Sequence, residues 1–121
     1  MAEDKVVGGP TKEELDELQK KNGKCFKVAF SESDVFIVRR LKRFEHRNIL
    51  REVQEIMRAN PNDPQLASVA QEEKIVAAGL VWPVISDQTY WATSPAGFMP
   101  SLAQTIMEVS GFTDQFKIEE L

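Results

Sequence analysis

The chain has 121 residues, of which 42% are apolar, and its formal net charge is −4. This length is typical of one domain with its own core, and this composition argues against wholesale disorder. The sequence contains no apolar run of about 18 residues, so we expect no membrane-spanning helix. It shows no secretory signal, and its lone cysteine cannot form an internal disulfide, so we expect a cytoplasmic protein.

A capped helix is predicted near the beginning of the chain. Residues 1–10 contain three charged side chains and end in Gly-Gly-Pro, and they are expected to form a flexible tail. Thr11, with Glu14 three positions later, has the pattern of a capping box at a helix N-terminus. Gly23 supplies the residue that ends such a helix. The helix is about ten residues long and carries a narrow apolar stripe, so it must dock on another element.

A β-hairpin is predicted next. Two short runs rich in Val, Ile and Phe, at 25–30 and 35–38, flank the polar tetrad 31–34. The alternation along a strand places Phe26 and Val28 on one face of the first run. An isolated two-stranded ribbon is marginal in water, so the helices of the chain must cover it.

Apolar residues at helical spacing predict three further helices. They span about 43–59, about 64–78, and a last segment that begins at Ser94-Pro95 or nearer Met99. The apolar stripe predicted for the second helix consists of Phe44, Ile49, Leu50, Val53, Ile56 and Met57. Between the last two helices, an apolar connector and a polar loop are expected. The sequence thus predicts an α+β fold, with an N-terminal helix, an antiparallel β-hairpin and about three further α-helices, as a single domain at 11–112 followed by a C-terminal tail at 113–121.

The residue types needed for catalysis or metal binding do not occur in a recognisable pattern. There is one histidine, His46, and one cysteine, Cys25, without the paired spacing of metal ligands. No local grouping suggests a nucleophile with its base, and no glycine-rich loop has the context of a nucleotide site. We therefore interpret the protein as a binding protein without cofactor or metal, and not as an enzyme.

Basic residues are concentrated in one part of the chain. Between Lys20 and Arg58 lie eleven of the fifteen basic residues but only five acidic ones. The densest cluster comprises Arg39, Arg40, Lys42, Arg43 and Arg47. Such a field can attract nucleic acid, an acidic protein or the acidic segment of a second copy. Nucleic acid is the disfavoured partner, because the chain is acidic overall and basic residues at a strand end also protect a sheet edge.

The order of the elements resembles a known family. The capped helix ends in LQKKNGK at 18–24, and an aromatic hairpin follows it. The later part of the chain contains Asp63-Pro64 at a helix start, AAGLVWP at 77–83 at a helix end, and VSGF at 109–112 at the end of the last helix. This order is similar to that of the small tail-assembly-chaperone-like proteins of tailed bacteriophages and prophages. The resemblance implies a non-enzymatic protein that binds the tape-measure protein during tail morphogenesis in the host cytoplasm. A minor structural subunit of the virion, in the tail, neck or baseplate, is the alternative.

A partner-binding groove is predicted between the hairpin and the last helix. Its candidate residues are Trp82, Tyr90, Trp91, Phe98, Met99 and Met107. Methionine side chains are adaptable and recur on surfaces that accept varied helical partners. Ordinary packing of the same residues in the core is the competing interpretation. A protein partner is expected, and the chain could also form a homo-oligomer.

Overall fold

The chain folds into helices packed against a small antiparallel sheet. The computed structural model describes residues 9–87, 89–112 and 119–120, so the tails predicted at 1–10 and 113–121 lie mostly outside the described residues. The elements are, in order, α1 (Lys12–Asn22), β1 (Cys25–Ala29), β2 (Val35–Arg39), α2 (Arg43–Ala59), α3 (Pro64–Gly79), β3 (Leu80–Trp82), α4 (Thr89–Thr93) and α5 (Phe98–Val109). The predicted α+β fold, with its N-terminal helix and hairpin, is confirmed.

The second strand is the centre of the sheet. The strands follow the order β1-β2-β3, and both pairs are antiparallel. Phe26 lies opposite Val38 and Val28 lies opposite Phe36, which brings these four apolar residues to one face. All four apolar residues of β2 are buried, although they alternate between the two faces. The sheet is therefore covered on both sides at its central strand, as a continuous apolar run requires.

The strand β3 corrects the prediction of an irregular connector. Leu80 pairs with Val38, and Trp82 pairs with Ile37, with an irregularity between the two pairs. Three residues are too few to show the alternation that identifies a strand in a sequence. The extended conformation is stabilised instead by the free edge of β2, which offers backbone hydrogen-bonding groups to the returning chain.

Residues 89–112 also differ from the prediction. A five-residue helix, α4, occupies part of the expected loop. The Asp87 carboxylate accepts hydrogen bonds from the Thr89 amide at 3.0 Å and from the Thr89 hydroxyl at 2.7 Å, and these bonds lower the pKa of Asp87. The last helix, α5, begins at Phe98, which agrees with the predicted start near Met99 and not with the alternative at Ser94-Pro95. Pro100 lies in its first turn, where a missing N–H is tolerated.

The core lies where α3 and α5 meet the sheet. Its buried residues are Phe36, Val38, Leu41, Ile49, Val53, Ala67, Ile75, Val76, Phe98, Leu102, Ala103 and Ile106. The helix α3 packs against both α2 and α5. At Gly79, a Cβ atom would lie only 2.7 Å from Ile106 Cγ2, so glycine allows α3 and α5 to approach closely.

The apolar stripe predicted for α2 is only half buried. Ile49 and Val53 belong to the core. Phe44, Leu50 and Met57 are exposed, with 61%, 37% and 51% of their surface accessible. The reason is that α2 packs chiefly against α3, and one neighbouring helix covers a narrower stripe than the periodicity suggests.

Candidate protein-binding groove

A groove of about 280 Å³ lies between α3, β3 and the segment that follows β3. Its lining consists of Glu73, Val76, Ala77, Leu80, Val81, Pro83, Val84, Ile85, Trp91 and Met99. We call it the Trp91 groove. Glu73 is the only ionisable residue of the lining, and most of the other side chains are apolar. Polar atoms nevertheless contribute almost half of the accessible lining surface, so a ligand would meet both apolar and polar groups.

The core holds the aromatic wall of the groove in place. The Trp91 ring is stacked on the ring of Phe36, with 6.1 Å between centroids and 23° between planes. Tyr90 meets Trp91 edge-on at 5.0 Å. The Ser94 hydroxyl donates a hydrogen bond to the Trp91 carbonyl at 3.0 Å. Because Phe36 is only 2% exposed, Trp91 rests on a rigid support and presents its outer surface to the groove.

The rim opposite this wall is open to solvent. Val84 is 89% exposed, more than any other large apolar side chain in the described part of the chain. Met99 is half-buried and packs against the core. The adjoining bond between Trp82 and Pro83 is cis. The groove thus combines a fixed aromatic wall, an adaptable methionine and an exposed apolar rim.

Two of the six predicted partner-binding residues, Trp91 and Met99, lie together in this groove. Tyr90 is adjacent to it and half-buried, and burial raises the pKa of its phenol with a smaller contribution from the nearby carboxylate of Asp34. Sequence reasoning missed Val84 and Ile85. Their signal was the apolar run that continues after Pro83.

The other three predicted residues lie elsewhere. Phe98 is 7% exposed and is stacked on Phe30 with 4.2 Å between centroids, so it is a core residue. Met107 is half-buried and packs on the core away from the groove lining. Trp82 lines a separate cleft of about 430 Å³ with Leu18. Leu80 and Val81 both line the Trp91 groove, whereas Trp82 does not. The pairing of β3 with β2 is irregular at this point, so simple strand alternation does not assign the face of Trp82.

This second surface, which we call the Trp82 cleft, lies along α1. Trp82 and Leu18, both half-buried, form its apolar part. Three exposed carboxylates, those of Glu13, Glu14 and Glu17, surround it. The cleft therefore differs from the Trp91 groove in charge, since it combines an apolar floor with an acidic rim.

Two of the five predicted basic residues serve the fold. Arg39 forms an ion pair with Glu45 at 2.6 Å, and the two side chains are 17% and 20% exposed. The hydrogen bond from Arg39 is the main reason why the pKa of Glu45 is lowered. Arg40 Nε donates to the Val109 carbonyl at the end of α5, at 2.9 Å, and its guanidinium lies 5.4 Å from the centroid of Phe26.

The remaining three basic residues, Lys42, Arg43 and Arg47, are exposed around the start of α2. Because the structural roles of Arg39 and Arg40 already account for part of the basic segment, fewer charges are available for phosphate contacts. Among the described residues no group of three or more His, Cys, Asp or Glu side chains is placed to hold a metal ion.

Comparisons of this chain with protein-family models, with curated proteins and with solved structures each found no match. The resemblance to tail-assembly chaperones therefore stays a prediction that depends on the order of elements. None of the helices in the described ranges is long and apolar enough to cross a membrane.

Proposed function

We propose that this protein is a non-enzymatic binding module that holds an apolar stretch of another polypeptide in the Trp91 groove. The observation that carries the proposal is the exposure of Val84 beside an aromatic wall that is anchored in the core. An exposed apolar side chain beside a fixed aromatic ring can provide contacts for an apolar anchor residue of a partner. The groove offers contacts to apolar side chains, and its lining contains no pair of groups suited to acid–base or nucleophilic chemistry.

The dimensions of the groove favour a peptide anchor. Its volume of about 280 Å³ is slightly below the roughly 300–1,000 Å³ that is typical of small-molecule pockets. An amphipathic helix that places one or two large apolar side chains in a groove needs no deeper cavity. Met99 is suited to such contacts, because a thioether side chain adapts to anchors of different shape.

The client that we propose is the tape-measure protein of a bacteriophage tail. This choice depends on the resemblance of the chain to tail-assembly chaperones. A long helical protein with apolar stripes aggregates unless those stripes are covered, and a small domain with a weak apolar groove can cover them repeatedly. Many weak contacts along one client then add up through multivalency.

A peptide titration tests the groove without knowledge of the client. In a Trp82→Phe background, Trp91 is the only tryptophan, so its fluorescence reports on the groove alone. An amphipathic helical peptide with leucines at i, i+3, i+4 and i+7 is expected to shift the emission of Trp91 to the blue. Val84→Asp should weaken this binding about tenfold, because it places a charge on the apolar rim.

The matched control is Met57→Asp, which places the same charge on an apolar residue of α2 that is 51% exposed. It should leave the titration unchanged. Equal affinities of wild type and Val84→Asp would refute the groove. Replacement of both Trp91 and Met99 by alanine should reduce capture of the client further, with circular dichroism as the check on folding.

The assembly role is tested separately. If the protein is a tail-assembly chaperone, mass spectrometry of purified particles should find it absent, because a chaperone leaves the finished structure. If it is present at a fixed stoichiometry in the particles, it is a structural subunit of the tail, neck or baseplate, and the chaperone proposal is wrong.

A further inference from the structure

We propose that two copies of this chain associate through a surface distinct from the Trp91 groove. In this dimer Phe44 of each copy enters the Trp82 cleft of the other copy. The contact joins a basic surface around the start of α2 to the acidic rim along α1. The inference goes beyond the proposed function, since it concerns self-association and not the capture of a client.

The acceptor surface is the Trp82 cleft. Leu18 and Trp82 provide the apolar floor of this wide, shallow depression, whose volume is about 430 Å³ and on which an aromatic ring can lie flat. The helix α1 that forms its wall has no buried residue. A short helix with so little packing is weakly stabilised by its own chain, so a second copy that covers it would supply the missing burial.

The donor surface begins at Phe44. This aromatic residue, in the first turn of α2, is 61% exposed. The exposed basic residues Lys42, Arg43 and Arg47 surround it in the sequence. A large apolar ring with three cations complements an apolar floor with three carboxylates in polarity and charge.

The acidic residues alone would not indicate a binding site. Carboxylates in the first turn of a helix are favoured by its macrodipole, and this accounts for Glu13 and Glu14 without any partner. The macrodipole does not explain why Phe44 is left in water, nor why Trp82 has an open cleft beside it. These two features are independent of the charges, and they call for an apolar occupant.

The placement of the two surfaces allows a closed dimer. Phe44 lies near Lys21 and Asn22, at the C-terminal end of α1. The Trp82 cleft lies along the N-terminal half of the same helix. If two copies place their α1 helices antiparallel, both Phe44 side chains reach the cleft of the other copy, which is the reciprocal contact of a two-fold interface. A second copy is therefore favoured over an unrelated basic peptide, since one chain carries both complementary surfaces.

Analytical ultracentrifugation of the full chain tests this proposal. Near 50 mM salt the protein should show a concentration-dependent dimer, and its dissociation constant should rise by about fivefold or more towards 1 M salt. Phe44→Ala should raise the dissociation constant by about tenfold or more, since it removes the buried ring. Met57→Ala changes another exposed apolar residue of α2 and should have no effect.

A charge-swap pair makes the test specific. The variant with Glu13→Lys and Glu17→Lys and the variant with Arg43→Glu and Arg47→Glu should each be monomeric. An equimolar mixture should dimerise again, because every contact in the mixed dimer joins opposite charges. A monomer at concentrations near 1 mM would overturn the proposal, as would a dimer that is insensitive to Phe44→Ala or a mixture that stays monomeric. Client binding in the Trp91 groove is measured independently by the peptide titration.

Discussion

The close contact between α3 and α5 at Gly79 gives a sharp test of the packing. In Gly79→Ala the new methyl group would lie 2.7 Å from Ile106 Cγ2 and 2.8 Å from Ile106 Cδ1. Ile106 is fully buried and cannot turn away. Overpacking costs about 1–3 kcal/mol, whereas alanine in place of glycine gains at most about 1 kcal/mol in a helix, so we expect a net loss of about 1–2 kcal/mol.

Chemical denaturation followed by circular dichroism measures this loss as a change in the free energy of unfolding. Gly97→Ala is the matched control, because a Cβ atom at Gly97 has no neighbour within 4 Å and the backbone there has a negative φ. Its free energy of unfolding should equal that of the wild type or exceed it slightly.

Substitutions at Gly79 and Ile106 should be energetically coupled. In an Ile106→Ala background the obstructing atoms are gone, and Gly79→Ala should become neutral or stabilising by up to about 1 kcal/mol. If Gly79→Ala leaves the wild-type protein as stable as before, or destabilises both backgrounds equally, the contact between the two helices is not as tight as described.

Three further predictions concern stability, each measured by the same denaturation. Glu45→Gln should cost about 1–2 kcal/mol at neutral pH through loss of the charged pair with Arg39. Because the folded pKa of Glu45 is lowered, this contribution is complete above the unfolded pKa and is lost as the pH falls through the folded pKa, so a deficit that does not shrink as the pH falls below the unfolded pKa would contradict the pairing. Asp63→Ala should cost about 1 kcal/mol through loss of the cap at α3, and Asp63→Asn should retain most of it; equal losses would disprove the cap. Phe30→Ala should cost about 1–2 kcal/mol through its stacking on Phe98, whereas an unchanged stability would mean that the exposed ring is not held there.

Local signals predicted the elements that depend on local chemistry. The capping box at Thr11 is present, with the Glu14 amide donating to the Thr11 hydroxyl at 3.1 Å and the Thr11 amide donating to Glu14 at 2.8 Å. The hairpin forms because its two apolar runs match in register around a polar turn. The strand β3 was missed because three residues become a strand only through the edge of β2, which is a tertiary effect.

The groove was predicted between the hairpin and the last helix, but α3 and β3 line it in place of the hairpin, and the last helix contributes only Met99. Trp91 and Met99 come together as the sequence suggested. Trp82 does not join them, because its side of the sheet depends on the register between β2 and β3. Phe44 was expected in the core, and it is exposed because α2 has chiefly one neighbouring helix to pack against. Periodicity shows which residues share a helical face, but not how much of that face another element covers.

The central position of β2 has a consequence for biosynthesis. Its partner β3 and its covering helix α5 are both encoded far downstream, so a nascent chain on the ribosome presents β1 and β2 before either is available. An unfinished hairpin with a bare apolar edge is prone to pair with other chains. Translation must therefore reach the C-terminal third before the sheet can close, and products truncated ahead of Leu80 should appear in the insoluble fraction.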